Sequence, residues 1–291
     1  MTTQYTSVVL LAGAALALSA CGSKPPTISI GAKSTTEQTI LAEILAAHLE
    51  KQLPGVHIER KLNLGGAQAV QGAMQSSSID AFVEDIGTMI GMVLKEDVPA
   101  EESTSLERVK TQYQTLYRLS ILQPLGFHHR FVVVRSAPLK SETLTGLAES
   151  GKAFKFGVEP DLTDRKDAFL SITTQYRISL SELPKPLDGP FLYEALRSRA
   201  IDLAAGYATD AWVGESGFEL LKDDRSMFQP HPVCVVVRSQ ALSQIAGFQK
   251  ALEGLSGKIT DQAIHKMNQE VDLKHRPAEE VAKAFLASAG L

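Results

Sequence analysis

Two pairs of adjacent side chains in this chain have the types that chemistry uses. Glu84-Asp85 is a pair of carboxylates of the kind that flank a reacting bond, and His128-His129 is a pair of imidazoles of the kind that hold a metal. Neighbours in an extended segment point to opposite faces, so neither pair converges on one atom. No Gly-x-Ser-x-Gly elbow, His-Glu-x-x-His helix or Gly-x-x-x-x-Gly-Lys loop occurs. No catalytic residue, metal or cofactor is therefore assigned. Asp85 reads as a counter-ion for a cation, because a carboxylate in a partly dehydrated cleft attracts positive charge strongly. Its competing reading is a helix cap ahead of Gly87.

The elements that must position these residues alternate. Thr27–Gly31 reads as a buried strand, and Glu37–Leu49 as a helix capped by Thr35 or Thr36. Strands are predicted at Val56–Leu62, Ile79–Val83, Phe131–Arg135, Lys155–Val158, Ile201–Ala205 and Val233–Arg238. Helices are predicted at Ala67–Gln75, around Met89, and at Leu106–Tyr117, Ala168–Tyr176, Pro190–Arg199, Ser239–Leu252, Thr260–Gln269 and Pro277–Ala287. A weak repeat joins the halves: Ala73-Met-Gln-Ser-Ser-Ser-Ile-Asp80 resembles Ala195-Leu-Arg-Ser-Arg-Ala-Ile-Asp202. Each closes a helix and enters a strand. Ligands of open α/β sheets gather beyond the carboxyl ends of strands, so the exits Glu84–Thr88 and Gly206–Asp210 are expected to face each other across a cleft, with Asp85 the counterpart of Tyr207.

At the N-terminus an apolar run from Val8 to Leu18 ends in Leu18-Ser19-Ala20-Cys21, the pattern of a bacterial lipoprotein signal. That run is shorter than the ~20 residues that span a bilayer. The reading is a signal peptide over 1–20, lipid on Cys21, and a tether over 21–26. Of 291 residues only Cys21 and Cys234 are cysteines, so no disulfide framework exists, and Cys234 reads as a buried strand residue. A net charge of −4 without a basic stripe argues against nucleic acid as a partner.

The segments Ile28-Ser-Ile-Gly-Ala-Lys-Ser-Thr-Thr-Glu-Gln38, Asn63-Leu-Gly-Gly-Ala-Gln68, Ile79-Asp80, Gly87-Thr88, Pro124-Leu-Gly-Phe127 and Gly257-Lys-Ile-Thr-Asp261 occur in an order and spacing that resembles the substrate-binding lipoproteins of glycine betaine, choline and osmoprotectant ABC importers. The resemblance implies an α/β, two-lobed periplasmic-binding-protein fold (type II) with two crossover hinge strands. Lobe 1 is then 27–127 and 229–291, and lobe 2 is 128–228. It also implies a lipid-anchored monomer facing the periplasm or cell exterior, with an ABC permease and ATPase subunits as partners and a small solute as cargo.

In that family tyrosines box a trimethylammonium group, whose cation is drawn to ring faces by ~0.5–2 kcal/mol each. The resemblance puts Lys33, Thr88 and Arg165 at carboxylate-side positions and Tyr207 at a box tyrosine. Asp85, Phe131 and His231 stand where the family has tyrosines. His231 reads as a flat wall or hydrogen-bond donor, or as a structural histidine. Trp212 suits core packing better than a pocket wall, Tyr193 is a core residue, and Gln38 and Gln68 donate to a ligand or cap helices. The implied cargo is a small quaternary-ammonium or zwitterionic solute. The alternatives are an amino-acid-like or imidazole-bearing solute such as ergothioneine, and, from another class, an enzyme on the same fold.

Overall fold

The computed structural model describes residues 25–99, 101–136 and 141–291. Cys21, the signal segment 1–20 and residues 21–24 of the tether lie outside the described residues.

The chain begins with β1 (Thr27–Gly31), α1 (Thr36–Gln52), β2 (His57–Lys61), α2 (Ala67–Gln75) and β3 (Ala81–Asp85). Thr35 caps α1 by accepting a hydrogen bond from the Gln38 N–H. Next come α3 (Ile86–Thr88), continued by a π-helical segment Met89–Leu94, then α4 (Glu102–Tyr117) and β4 (Leu119–His129). After β5 (Phe131–Ser136) the chain forms α5 (Leu144–Glu149), β6 (Ala153–Phe154), β7 (Phe156–Val158), α6 (Phe169–Thr174), β8 (Ser179–Leu180), β9 (Lys185–Pro186), α7 (Gly189–Arg197), β10 (Leu203–Tyr207) and β11 (Phe218–Leu221). It closes with β12 (His231–Arg238), α8 (Ser239–Gln244), α9 (Phe248–Glu253), α10 (Asp261–Asp272) and α11 (Ala278–Ala289).

Two five-stranded sheets result, ordered β2-β1-β3-β12-β4 and β11-β5-β10-β7-β9. In the first, β1 runs parallel to β2 and β3, while β12 is antiparallel to both its neighbours. In the second, β10 runs parallel to β7 and antiparallel to β5. The two repeat strands thus occupy equivalent places, each between one parallel and one antiparallel partner. Only Arg130 separates β4 of the first sheet from β5 of the second, so His128 and His129 stay with the first sheet. The chain returns between Leu221 and His231, and β12 enters the first sheet as the apolar run Val233–Val237 requires.

Core clusters lie on both faces of each sheet, so the central strands are apolar until they near the cleft, where β3 ends in Glu84-Asp85. Alternation along β12 sends Val233, Val235 and Val237 into the cluster under α1, α9, α10 and α11. Cys234 and Val236 face the opposite cluster with Phe82 and Tyr113. Burial raises the Cys234 thiol to about 12 and leaves it inert. In the second lobe Val133, Leu203 and Ala205 pack on one face, Val134 and Ala204 on the other.

Several elements depart from the sequence expectation: α5, β6, β8, β9 and β11 are short elements that it did not contain, and β4 and one helix differ more instructively. β4 was hidden because Pro124 and Gly126 interrupt its pattern, and it tolerates them as an edge strand with shifted register against β12. A Cβ at Gly126, whose φ is +118°, would lie 2.8 Å from the Ile259 carbonyl oxygen and 2.9 Å from Gly257. That contact joins two of the motifs: the Gly257 and Ile259 N–H groups donate to the Pro124 and Leu125 carbonyls, each at 3.0 Å, and Asp261 accepts from the His128 N–H at 2.8 Å. The helix expected over Ser239–Leu252 is two helices, parted at Gly247 with φ +81°.

Candidate ligand site between the lobes

The strand exits of both sheets meet. From the first lobe come Lys33 after β1, Glu84 and Asp85 at the end of β3, Thr88 in α3, His129 at the end of β4 and His231 at the start of β12. From the second come Glu159 and Asp161 after β7, then Arg165, Asp167, and Tyr207 and Asp210 at the end of β10.

Asp85 is both readings at once. It caps α3, accepting from the Thr88 N–H and hydroxyl, each at 2.7 Å. It also answers positive charge, but the cations are the chain's own: Arg165 at 3.5 Å and His129 at 3.1 Å. Burial opposes its ionisation, yet Arg165 and His129 outweigh that and hold the carboxyl well below the usual range. Arg165 further donates to the Thr88 hydroxyl at 2.9 Å and to Asp167 at 3.0 Å, and the His231 Nε2 lies 2.9 Å from Asp167. Four of the expected residues, Asp85, Thr88, Arg165 and His231, therefore form one network across the lobes.

Lys33 is buried, donating to Glu84 at 2.8 Å and to Asp161 of the second lobe at 3.2 Å. Burial works against its charge, but those carboxylates raise its pKa well above the ordinary lysine value. Tyr207 lies against the His129 ring, centroids 4.4 Å apart and planes at 33°. Phe131 is placed elsewhere: it packs edge-on to Phe228 at 4.4 Å within the second lobe's core. Its side chain follows Val133 to that face of the sheet. Gln68 is exposed on α2 and donates to the Met92 carbonyl.

A cavity of about 50 Å³ lies beside this network, lined by residues that include Lys33, Gln38, His129, Tyr207, Trp212 and Asn268. Glu37, Glu159, Asp161, Asp210 and Asp272 also line it, so the wall is predominantly acidic. Its two bases are committed. Lys33 pairs as above, and His129 lies between Asp85 and Glu37. Burial alone lowers the His129 pKa, but Glu37 and Asp85 carry it up to about 10, so the ring is an imidazolium. Several polar atoms of the lining have no partner: both amide atoms of Gln38, the Tyr207 hydroxyl and the Asn268 Oδ1. Buried polar groups are normally paired, so these atoms of the lining are available to a polar solute. Trp212 combines wall and core, stacking on Tyr193 at 4.9 Å while lining the cavity.

Sequence reasoning missed His129, Glu37, Glu159, Asp161 and Asn268. One signal was available for two of them. Glu159-Pro160-Asp161 follows the predicted strand Lys155–Val158, and the strand-exit rule that singled out Asp85 applies there equally. Asn268 carried no such signal, because α10 reaches the cleft from sequence 231 positions beyond Glu37, to which its amide donates at 2.9 Å.

Gly87 packs directly on Arg165 of the second lobe and on His231: a Cβ there would lie 2.3 Å from Arg165 Nη2 and 2.4 Å from His231 Cδ2. Gly87→Ala is expected to push these side chains off Asp167 and to weaken solute binding by about tenfold, the price of ~1 kcal/mol or slightly more of overpacking. Calorimetric titration of the folded variant checks this, and parental affinity would refute it.

The family model described as the substrate binding domain of an ABC-type glycine betaine transport system matches residues 26–288. The chain belongs to this family. The carnitine transport binding protein OpuCC of Listeria monocytogenes is 28% identical over 290 residues, covering 96% of this chain and 94% of the relative. The ergothioneine transport permease/ergothioneine binding protein EgtU of Helicobacter pylori is 29% identical over 267 residues, 90% of this chain but only 47% of that longer protein. Among solved structures, a glycine betaine/carnitine/choline ABC transporter protein superposes with a TM-score of 0.72 at 23% identity, over 90% of this chain and 98% of that one. The substrate-binding domain thus has the two-lobed periplasmic-binding-protein fold, and it is the substrate-binding component of an ABC importer. Among the described residues no helix is long and apolar enough to cross a membrane.

Proposed function

We propose that this receptor is held at the outer face of a membrane by lipid on Cys21, closes its lobes around a compact organic cation of the choline type, and presents the closed form to a permease driven by ATPase subunits. The observation that supports the cation is the cavity wall: Tyr207 and Trp212 rings beside five acidic side chains, with Lys33 and His129 already paired. Rings and carboxylates both attract a quaternary ammonium group. A solute carboxylate would instead meet Glu37, Glu159, Asp161 and Asp210, and it would have to displace a carboxylate of the chain to reach Lys33 or Arg165. The cavity is several times the ~10–15 Å³ that one water needs, which suits a compact solute.

Titration calorimetry of the purified protein with choline, glycine betaine, carnitine and ergothioneine tests the reading. Choline is expected to bind more tightly than glycine betaine and carnitine. Tighter binding of glycine betaine than of choline, or heat from none of the four, would sink it. The unpartnered Gln38 amide and Tyr207 hydroxyl favour one second reading, an imidazole-bearing solute with N–H donors. Ergothioneine binding more tightly than choline would select it.

A further inference from the structure

Of the acids lining the cavity, Glu159, Asp210 and Asp272 form no ion pair among the described residues, and Asp272 is instead held by the Thr36 hydroxyl at 2.6 Å. Glu159 and Asp210 close the exits of β7 and β10, which are parallel neighbours, and the Glu159 N–H donates to the Ala205 carbonyl at 3.0 Å. Glu159 accepts from the Gly189 N–H at 3.1 Å. Asp210 accepts from the Tyr193 hydroxyl at 2.7 Å and the Tyr207 N–H at 3.0 Å. Asp210 Oδ2 is packed tightly enough that a Cβ on Gly206 would lie 2.4 Å from it, which fixes the carboxyl against the strand end.

The charges around them do not neutralise them. Glu159 is faced by Asp210, Asp188 and Lys33, and Asp210 by Tyr193, Glu37 and His129. Asp161 and Asp272 share the same wall. Lys33 is held by Glu84 and Asp161, and His129 by Glu37 and Asp85, so neither base is available to the pair. An independent observation points to a ligand at the same wall. Gln38 is only 3% exposed, lines this cavity, and has no partner for either amide atom.

We propose that Glu159 and Asp210 are the acids that recognise the positive group of the solute, one of them releasing a proton to solvent as that group enters. The carboxyl O–H bond breaks, its electron pair stays on oxygen, and the proton leaves to bulk buffer. One positive charge replaces another, so the buried site keeps its net charge, and capture avoids burying an unpaired cation. Burial and the charge of Asp210 push Glu159 up to about 8, and burial pushes Asp210 up to about 7, so protons are there to exchange at neutral pH. The inference rests on the cationic reading of the cargo given above. It also implies selectivity, because a neutral solute displaces no proton and gains no carboxylate.

Choline titrations of the purified protein in two buffers of different ionisation enthalpy count the protons released. Between about pH 5.5 and pH 7, release approaching one proton per choline is expected, with affinity rising up to ~tenfold per pH unit and levelling above about pH 8. Glu159→Gln is expected to bind choline more weakly and to lose most of the release. Glu84, raised to about 7 but bound to Lys33, is the competing source. Undiminished release in both Glu159→Gln and Asp210→Asn would assign the proton there and overturn the proposal. Choline binding by the parent protein with no release and no pH dependence would overturn it as well, while leaving the cationic cargo intact. Absence of choline binding at every pH would instead strike the cationic reading, and this inference with it. The parent measurements need no variant, so a misfolded Glu159→Gln leaves the test standing.

Discussion

Asp85→Ala is expected to lower the stability of this receptor by ~3–5 kcal/mol, because it removes one side of a buried charge network and leaves the other side in place. Arg165 and His129, each 4% exposed, would lose a counter-ion, and the Thr88 N–H would lose its cap. For a chain of this size that corresponds to a fall in Tm of roughly 6–20 °C. Thermal unfolding followed by circular dichroism reads the change, and a Tm within about 2 °C of the parent would remove Asp85 from this role.

The pH dependence follows from the same carboxyl. Its folded pKa lies below its unfolded value, so its contribution is present above about pH 4 and is lost as pH falls through the folded pKa. The deficit of Asp85→Ala relative to the parent should therefore be full above about pH 4 and narrow as pH falls through the folded pKa, which acid titration of both proteins reads. Glu84 and Asp210 at about 7 and Glu159 at about 8 act in the opposite direction. Their folded values lie above the unfolded ones, so they cost nothing below about pH 4, and the cost grows until pH passes the folded values.

Tyr207→Ala has the next largest expected effect, on binding. The ring lines the cavity, is held against the His129 imidazolium, and supplies both a π-face and an unpartnered hydroxyl. Removing it should weaken capture of an organic cation by ~1–3 kcal/mol, roughly five- to 150-fold in Kd. Tyr207→Phe separates the contributions, keeping the face and losing the hydroxyl, and is expected to retain most of the affinity for choline. Unchanged affinity in a folded Tyr207→Ala protein would place the cation elsewhere. Equal loss in both variants would assign the effect to the hydroxyl.

Much of the scaffold was legible because it depends on local pattern. Thr27–Gly31 and Ala67–Gln75 were bounded as they occur, and the repeat between Ala73–Asp80 and Ala195–Asp202 correctly paired the strands that end at Asp85 and Tyr207. The alternation that separated His128 from His129 also holds: His128 is half-buried at the surface and His129 points inward. What pattern could not say is what His129 meets there, since Glu37 lies 92 positions earlier and Tyr207 lies in the other lobe. β4 escaped for a related reason. Its Pro124 and Gly126 are tolerated by an edge position and by the Gly257 turn packed on it, both of which are tertiary facts.

By itself, then, the sequence determined the alternating α/β order, the two strand exits that face each other and the family to which the chain belongs. These rest on periodicity, turn residues and motif order, which are properties of neighbouring residues. Only the tertiary structure decided how the charges pair. Asp85 could be read as a counter-ion awaiting a ligand until Arg165 and His129 were brought beside it, and Lys33 as an anion anchor until Glu84 and Asp161 were. Coulomb interactions depend on distance and burial, not on separation along the chain. That Glu159 and Asp210 are left without a base emerges only once Glu37, Glu84, Asp85 and Asp161 have found theirs.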